Sequence, residues 1–410
     1  MHDPALPPAF RRLAWSNLLA QSAEQVALAA VPLVAVLALG AGVGETGLIA
    51  TAQTLPFLLL SLPLGVLADR APRRVIMAWA EVVRAVALGA IPVLTAFGVL
   101  SVPLLTALGF LAATGTVAYS VAAPSLVPAL VPRDALAQAN ARLELVRSAA
   151  FAGGPALAGV LVAWAGATPA FVAAAVLSAV AAVLLGGLQE PPRPTAARRP
   201  VLHDLREGAG FAWHHPLLRP ILLTAVAWNL SWFVLQAAYV PYAVEVLGLS
   251  AGTIGVTLGA YGAGMVGGAL LTPRLGRVLP FGRMVAVGPV VSVAAAGVML
   301  ASIWMPGALL PTLSFVLFGA GPIVWTISQT TLRQAVTPAG LLGRVSAVVT
   351  MATFGARPLG AAIGGYAGLH LGLRACIALA FLGFVMQAGV VLASPVPRLA
   401  RLPGAVQGSW

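Results

Sequence analysis

Long apolar runs recur along this chain, separated by short segments rich in Pro, Gly and Arg. About 20 apolar residues at 1.5 Å rise per residue cross the hydrocarbon layer of a bilayer. Runs of that kind at 13–38, 46–68, 75–98, 102–128, 143–165, 168–188, 220–246, 252–272, 283–303, 307–332, 345–369 and 373–393 predict twelve transmembrane helices. Ten-residue stretches of period-two alternation, the mark of an outer-membrane barrel, are absent from the sequence.

Composition changes the picture from a large soluble core to a lipid-solvated bundle. Of 410 residues, 60% are hydrophobic and 8% charged, against roughly 25% charged in a soluble domain. A water-soluble globule of this composition could not cover its surface with polar groups. The abundant Gly and Ala suit close helix approach in lipid, where packing replaces the hydrophobic effect as the force between helices. The expected fold class is an all-α membrane protein, with twelve transmembrane helices in two pseudo-symmetric six-helix bundles.

Charge sets the orientation. Every positive side chain is Arg, and the net charge is +12. Arg11, Arg12, Arg70, Arg73, Arg74, Arg133, Arg142, the cluster from Arg193 to Arg219, Arg274, Arg277, Arg283, Arg333, Arg344, Arg398 and Arg401 fall on one side of the span pattern, whereas the opposite loops hold Arg374. Arg in short loops resists translocation, so the basic loops and both termini are expected in the cytoplasm, in a bacterial-type inner membrane. Because the arginines flank spans rather than gather on one soluble face, no nucleic-acid partner is expected.

The longest connection, 189–219, divides the chain into a bundle at 1–188, a cytoplasmic central loop, and a bundle at 220–410. Its first part, "EPPRPTAARRP", reads as a proline-rich linker. In its second part Leu202, Leu205, Phe211 and Trp213 alternate with charged residues, which predicts a short amphipathic helix on the inner leaflet. Placing the halves over one another pairs Phe151 with Phe354, Pro155 with Pro358 and Pro132 with Pro338. Such a parallel repeat places a substrate site between halves, near the membrane midplane.

After the second span comes "GVLADRAPRR", with Gly65, Leu67, Asp69, Arg70, Arg73 and Arg74. It resembles the signature loop of the major facilitator superfamily, with Pro72 where that family has its second glycine. The resemblance implies a cytoplasmic latch contacting the other half near Gly343 and Arg344. Gly65 would permit close helix approach, while Asp69 would serve a helix N-terminus or a guanidinium. A plain basic turn is the alternative. The corresponding "GALLTPRLGR" lacks the aspartate, so any latch is asymmetric. In the fifth span, "GGPALAG" resembles the tail of the glycine–proline motif of facilitator antiporters, or is simply a kinked packing helix. The paired "LVPALVPRDALAQANA" and "AVTPAGLLGRVSA" segments, together with an acidic residue in the first span, resemble the branch that includes bacterial siderophore and macrolide exporters. That resemblance implies export of amphipathic small molecules. The fourth span carries no arginine of the kind tied to proton coupling in many drug antiporters.

Polar residues inside the spans are the candidate machinery. Asn17, Gln21 and Glu24 lie within about 60° on one helix face. Glu24, near mid-depth, suits a proton or cation site, or else a structural hydrogen bond. Arg357 could pair with Glu24, bind an anionic substrate group, or cap carbonyls freed by Pro358. Asn229, Trp232 and Gln236, with Trp325 and Gln329, form stripes on the seventh and tenth spans, which line the cavity in the resembled family. Aromatic faces beside amides suit an amphipathic ligand, and ordinary packing is the alternative. Two pairs, Glu81 with Arg84 and Glu144 with Arg147, are spaced to neutralise one another near span ends.

The leading expectation is a secondary transporter that exports a small amphipathic compound by alternating access, coupled to protons or another ion, as a monomer in contact with membrane lipid. Uptake or facilitated diffusion is the alternative, and a non-transporting membrane enzyme or assembly factor is a further one. Against an enzyme, no catalytic group converges. No metal or cofactor is expected, and without lysine no phosphate-binding G-x-x-x-x-G-K-[ST] loop can be completed.

Overall fold

A chain solvated by lipid must satisfy every backbone N–H and C=O internally, and helices do so within a single segment. The computed structural model describes residues 7–132, 136–190, 201–338 and 341–403; the side chains of Asp69, Arg70 and Glu144, among others within helices, lie outside that description. Among the described residues there are thirteen α-helices and no strand. They are α1 (Pro8–Leu37), α2 (Val43–Arg70), α3 (Arg73–Ala96), α4 (Val102–Leu130), α5 (Leu136–Ala165), α6 (Ala167–Gly186), α7 (Val201–His214), α8 (Leu218–Glu245), α9 (Ala251–Val278), α10 (Phe281–Ala301), α11 (Leu309–Val336), α12 (Leu342–Leu371) and α13 (Leu373–Leu392). All but α7 contain a segment long and apolar enough to cross a membrane, twelve in all. The twelve expected spans are therefore present.

By packing, the chain divides into two units, Met1–Pro194 with Leu249–Gly262, and Thr195–Gly248 with Ala263–Trp410. In the first, α1 packs on α5 and α6, α3 on α4 and α6, and α2 on α4. In the second, α8 packs on α12 and α13, and α10 on α11 and α13. Gly264 and Gly268 of α9 lie against Val316 and Ala320 of α11. The partnerships are the same in both units, helix for helix.

The turns repeat as well. Positive φ occurs at Gly40, Gly98 and Gly166 in the first half and at Gly248, Gly307 and Gly372 in the second, and among the described residues no other type adopts it. These glycines occupy corresponding connections: first to second span, third to fourth, and fifth to sixth. Glycine tolerates this left-handed backbone at no steric cost, so the chain can reverse within a few residues. The alternate connections use proline instead, with Pro72 and Pro280 at the N-caps of α3 and α10. Glycine turns thus close one end of each bundle and proline turns the other.

Side-chain sorting follows lipid rather than water. On α3 the buried stripe is Ile76, Met77, Ala80, Glu81, Arg84, Ala87, Leu88 and Ile91, while Trp79, Val82, Val86 and Val93 are exposed. The polar pair faces inward and bulky apolar groups face outward, as expected where the outside is hydrocarbon.

One expectation needs correction. Instead of presenting its apolar side to a leaflet, α7 packs on α12. Ala212 is fully buried there, and a Cβ on Gly208 would sit 2.7 Å from the carbonyl carbon of Arg344. Of the apolar side chains Leu205, Phe211 and Trp213, the first two are half-buried and Trp213 is exposed, with the Arg219 guanidinium 4.7 Å above its ring.

Candidate functional site

Each unit carries its own set of buried polar groups. In the first unit α1 brings Asn17, Gln21 and Glu24 along one face, with Asn17 buried and the other two half-buried. The Tyr119 hydroxyl on α4 donates to Asn17 Oδ1 at 3.3 Å. Glu24 lies within electrostatic reach of Tyr119. These residues share one environment with Glu81 and Arg84 of α3, which also act on Tyr119.

The Glu81–Arg84 pair is the main feature that reasoning from sequence placed wrongly. The two charges do pair, 2.8 Å apart as their spacing predicts, but at 0% and 2% exposed they are buried within the bundle rather than set near a span end. Arg84 donates to the Ala20 carbonyl of α1 at 3.1 Å and to Thr116 Oγ1 of α4 at 2.8 Å. A Cβ on Gly115 would meet the Ala80 carbonyl at 2.5 Å, so its absence lets α4 approach α3 closely enough for that bond. The signal was readable: Glu81 and Arg84 share a stripe with Ala80 and Ala87, opposite the bulky lipid-facing side chains.

In the second unit Arg357 Nε donates to Asn229 Oδ1 at 3.1 Å, and Asn229 Nδ2 donates back along α8 to the Ala225 carbonyl at 2.9 Å. The Arg357 guanidinium lies 4.1 Å from the Phe354 ring centroid and 5.6 Å from that of Phe233. This cradle of amide and rings fixes a permanent cation within a span. Trp232 has a different setting. It is buried, stacked on Trp228 at 5.3 Å, with Phe318 and Phe315 edge-on at 5.1 and 6.0 Å, and so belongs to an aromatic core. On α11 the Gln329 Nε2 donates to Thr330 Oγ1 at 3.0 Å, while its buried Oε1 receives no hydrogen bond among the described residues. Trp325 and Gln236 are half-buried.

At the basic end, Arg74 of the motif serves its own unit. Arg74 Nη1 donates to the Leu188 and Gly186 carbonyls at 3.2 and 3.4 Å, and its backbone N–H donates to Glu190 Oε2 at 3.1 Å. Arg12 reaches the Gly187 carbonyl, so two arginines cap the C-terminus of α6, where cations are favoured. Arg73 is half-buried at the start of α3. A Cβ on Gly65 would meet Val121 of α4 at 3.8 Å, ordinary contact distance. Asp69 and Arg70 end α2, and their side chains lie outside the described residues. In the second unit Arg344 is held by Asp204 and Glu207 of α7, two carboxylates that the spacing of the sequence did not single out.

The family model for the Major Facilitator Superfamily matches residues 13–361. An uncharacterised MFS-type transporter of Sinorhizobium fredii is 31% identical over 275 residues, which cover 66% of this chain and 66% of that one. An enterobactin exporter of Citrobacter koseri is 30% identical over 237 residues, covering 58% of this chain and 56% of that one. The matched segments thus fall short of the full length of both relatives. Among solved structures, a bacterial homologue of the iron transporter ferroportin in its inward-facing state superposes with a TM-score of 0.73 at 17% identity, covering 94% of this chain and 98% of that one. At that identity the likeness concerns the fold.

Proposed function

Since the chain belongs to the Major Facilitator Superfamily and is a multi-pass membrane transporter, we propose that it exports a small amphipathic compound by alternating access, driven by a proton gradient. In this reading the basic loops and both termini face the cytoplasm, and the protein works as a monomer. The observation that carries the coupling is Glu24, a carboxylate on a membrane-spanning helix beside the Asn17–Tyr119 hydrogen bond. A carboxylate at such depth persists only with partners or a wet cavity, and typically marks an ion path. Arg357, Asn229 and Gln329 of the second unit supply a fixed cation and oriented amides for the polar part of a substrate, with aromatic surface at Trp325 for its apolar part. The likeness to an enterobactin exporter supports the outward direction.

The test is transport by the purified chain in vesicles whose cytoplasmic face is outward and whose interior is acid. Ethidium, an amphipathic cation, and enterobactin serve as probes. Accumulation of either one inside supports proton-driven export. Accumulation under the reversed gradient alone assigns uptake, and movement no faster than in protein-free vesicles rejects the reading.

A further inference from the structure

The buried pair on α3 is unevenly supported. Moving a carboxylate and a guanidinium out of water costs several kcal/mol per ion even after relaxation, and only good geometry with additional hydrogen bonds offsets it. Arg84 has that support on three helices: Glu81 at 2.8 Å, the Ala20 carbonyl of α1 at 3.1 Å and Thr116 of α4 at 2.8 Å. Glu81 has Arg84 as its charged neighbour, yet neither of its oxygens receives a well-directed hydrogen bond among the described residues. Facing it is the fully buried Ser178 of α6, whose hydroxyl is within its reach but makes no well-directed hydrogen bond among the described residues.

The Ser178 hydroxyl can donate to an ionised Glu81, and an added proton lets the same bond run in the opposite direction. A neutral carboxyl gains an O–H donor, and Ser178 Oγ has a free lone pair to accept it. Arg84 can keep its charge in that state, since the Ala20 carbonyl and Thr116 still hold it. An ionised Glu81 has the Arg84 guanidinium at 2.8 Å, and a neutral one has an acceptor in Ser178, so each state has a partner.

We propose that Glu81 is a second proton-binding site of the transport cycle, its carboxyl donating to Ser178 when protonated and pairing with Arg84 when ionised. This rests on the proton-coupled reading above and extends it from α1 to α3. The titratable and charged groups that interact with Glu81 among the described residues are Arg84 on α3 and Tyr119 on α4, and Tyr119 also feels Glu24 of α1. From α6 comes the Ser178 hydroxyl, and α2 supplies no charge acting on Glu81 among the described residues. Tyr119, bonded to Asn17, stands between the two carboxylates in this electrostatic network. Arg84 ties α3 to both α1 and α4, and a proton on Glu81 removes the charge that faces this guanidinium from within α3.

Infrared difference spectroscopy of the full chain in lipid vesicles, titrated from about pH 9 to about pH 4 so as to pass the ordinary histidine and carboxylate values, reads protonated carboxyls directly and needs no substrate. The expected result is a titrating acid C=O band that is lost in Glu81→Gln and retained in Glu24→Gln. The same band should shift in Ser178→Ala, where the acid O–H loses its acceptor. A wild-type spectrum without such a band, or a band unchanged in Glu81→Gln, overturns the proposal. If Glu81→Gln does not fold, Ser178→Ala decides, because an unshifted band overturns the proposal equally. Ethidium transport in the same vesicles is scored separately, so a failed transport reading is distinguishable from a Glu81 that never takes a proton.

Discussion

Arg344 of α12 and Asp204 of α7 form an ion pair 2.9 Å long, and the same guanidinium bonds Glu207 one turn further along α7. The side chains of Arg344, Asp204 and Glu207 are 19%, 31% and 43% exposed. Solvent screening therefore limits each pair to roughly 0–1 kcal/mol. Asp204→Asn or Glu207→Gln alone should change little, whereas Arg344→Gln removes both pairs together. Hydrogen exchange across Val201–His214 should then accelerate in Arg344→Gln alone. Equal exchange in all three variants would mean that Gly208 and Ala212 anchor α7 without help from charge.

Close approach at Gly115 makes a second prediction. A methyl there would stand 2.5 Å from the Ala80 carbonyl, and backbone atoms cannot yield as a flexible side chain does. Gly115→Ala should push α4 from α3, lengthen the Arg84–Thr116 bond and cost about 1–3 kcal/mol, the usual range for overpacking. A lowered thermal midpoint in detergent checks this; an unchanged midpoint would show that the two helices separate freely.

How much of this was legible in the sequence depends on which physical signal each feature leaves. Hydropathy marks spans because lipid demands apolar length, and all twelve were visible. It misses helix that extends beyond lipid: α5 starts at Leu136, ahead of the apolar run from 143, because the turns through Arg142 are polar. The repeat was faint in residue matches that Ala, Gly and Leu blur, and is clearer in the positive-φ glycines, whose role depends on backbone angles. Arg357 was legible as a deep charge, but its Asn229 partner is 128 positions away. Glu81 and Arg84 were legible as a pair, while their depth needed the recognition that the polar side of a membrane helix turns inward.

Acid should loosen the corner between α7 and α8. The Leu217 N–H donates to His215 Nδ1 at 3.2 Å, which requires that nitrogen to be unprotonated. Burial holds the His215 pKa below its ordinary 6.5. The unfolded chain therefore takes up the proton first as pH falls, and the stabilisation present above about 6.5 is lost on the way down to the lower folded value. Thermal midpoints should drop across that window in wild type and drop less in His215→Asn. Parallel curves for the two proteins would rule out His215 as the source.

Arg357→Lys keeps the charge but loses the planar donor at Nε and the guanidinium face against Phe354. A hydrogen bond to a charged group contributes about 1.5–3 kcal/mol, and arginine and lysine are not equivalent where the fork and ring contact both matter. The variant should melt at a lower temperature than wild type, and Asn229→Ala should add little further loss in the Lys background. Full additivity of the two substitutions would show that the residues act independently.

Coupling at Glu24 is tested most directly by Glu24→Gln in vesicles with and without an imposed proton gradient, with ethidium or enterobactin as probe. Glutamine keeps size and polarity but cannot carry the charge that a proton would neutralise. The expected result is loss of gradient-driven accumulation with substrate exchange across the membrane preserved. Accumulation equal to wild type would contradict proton coupling at this residue.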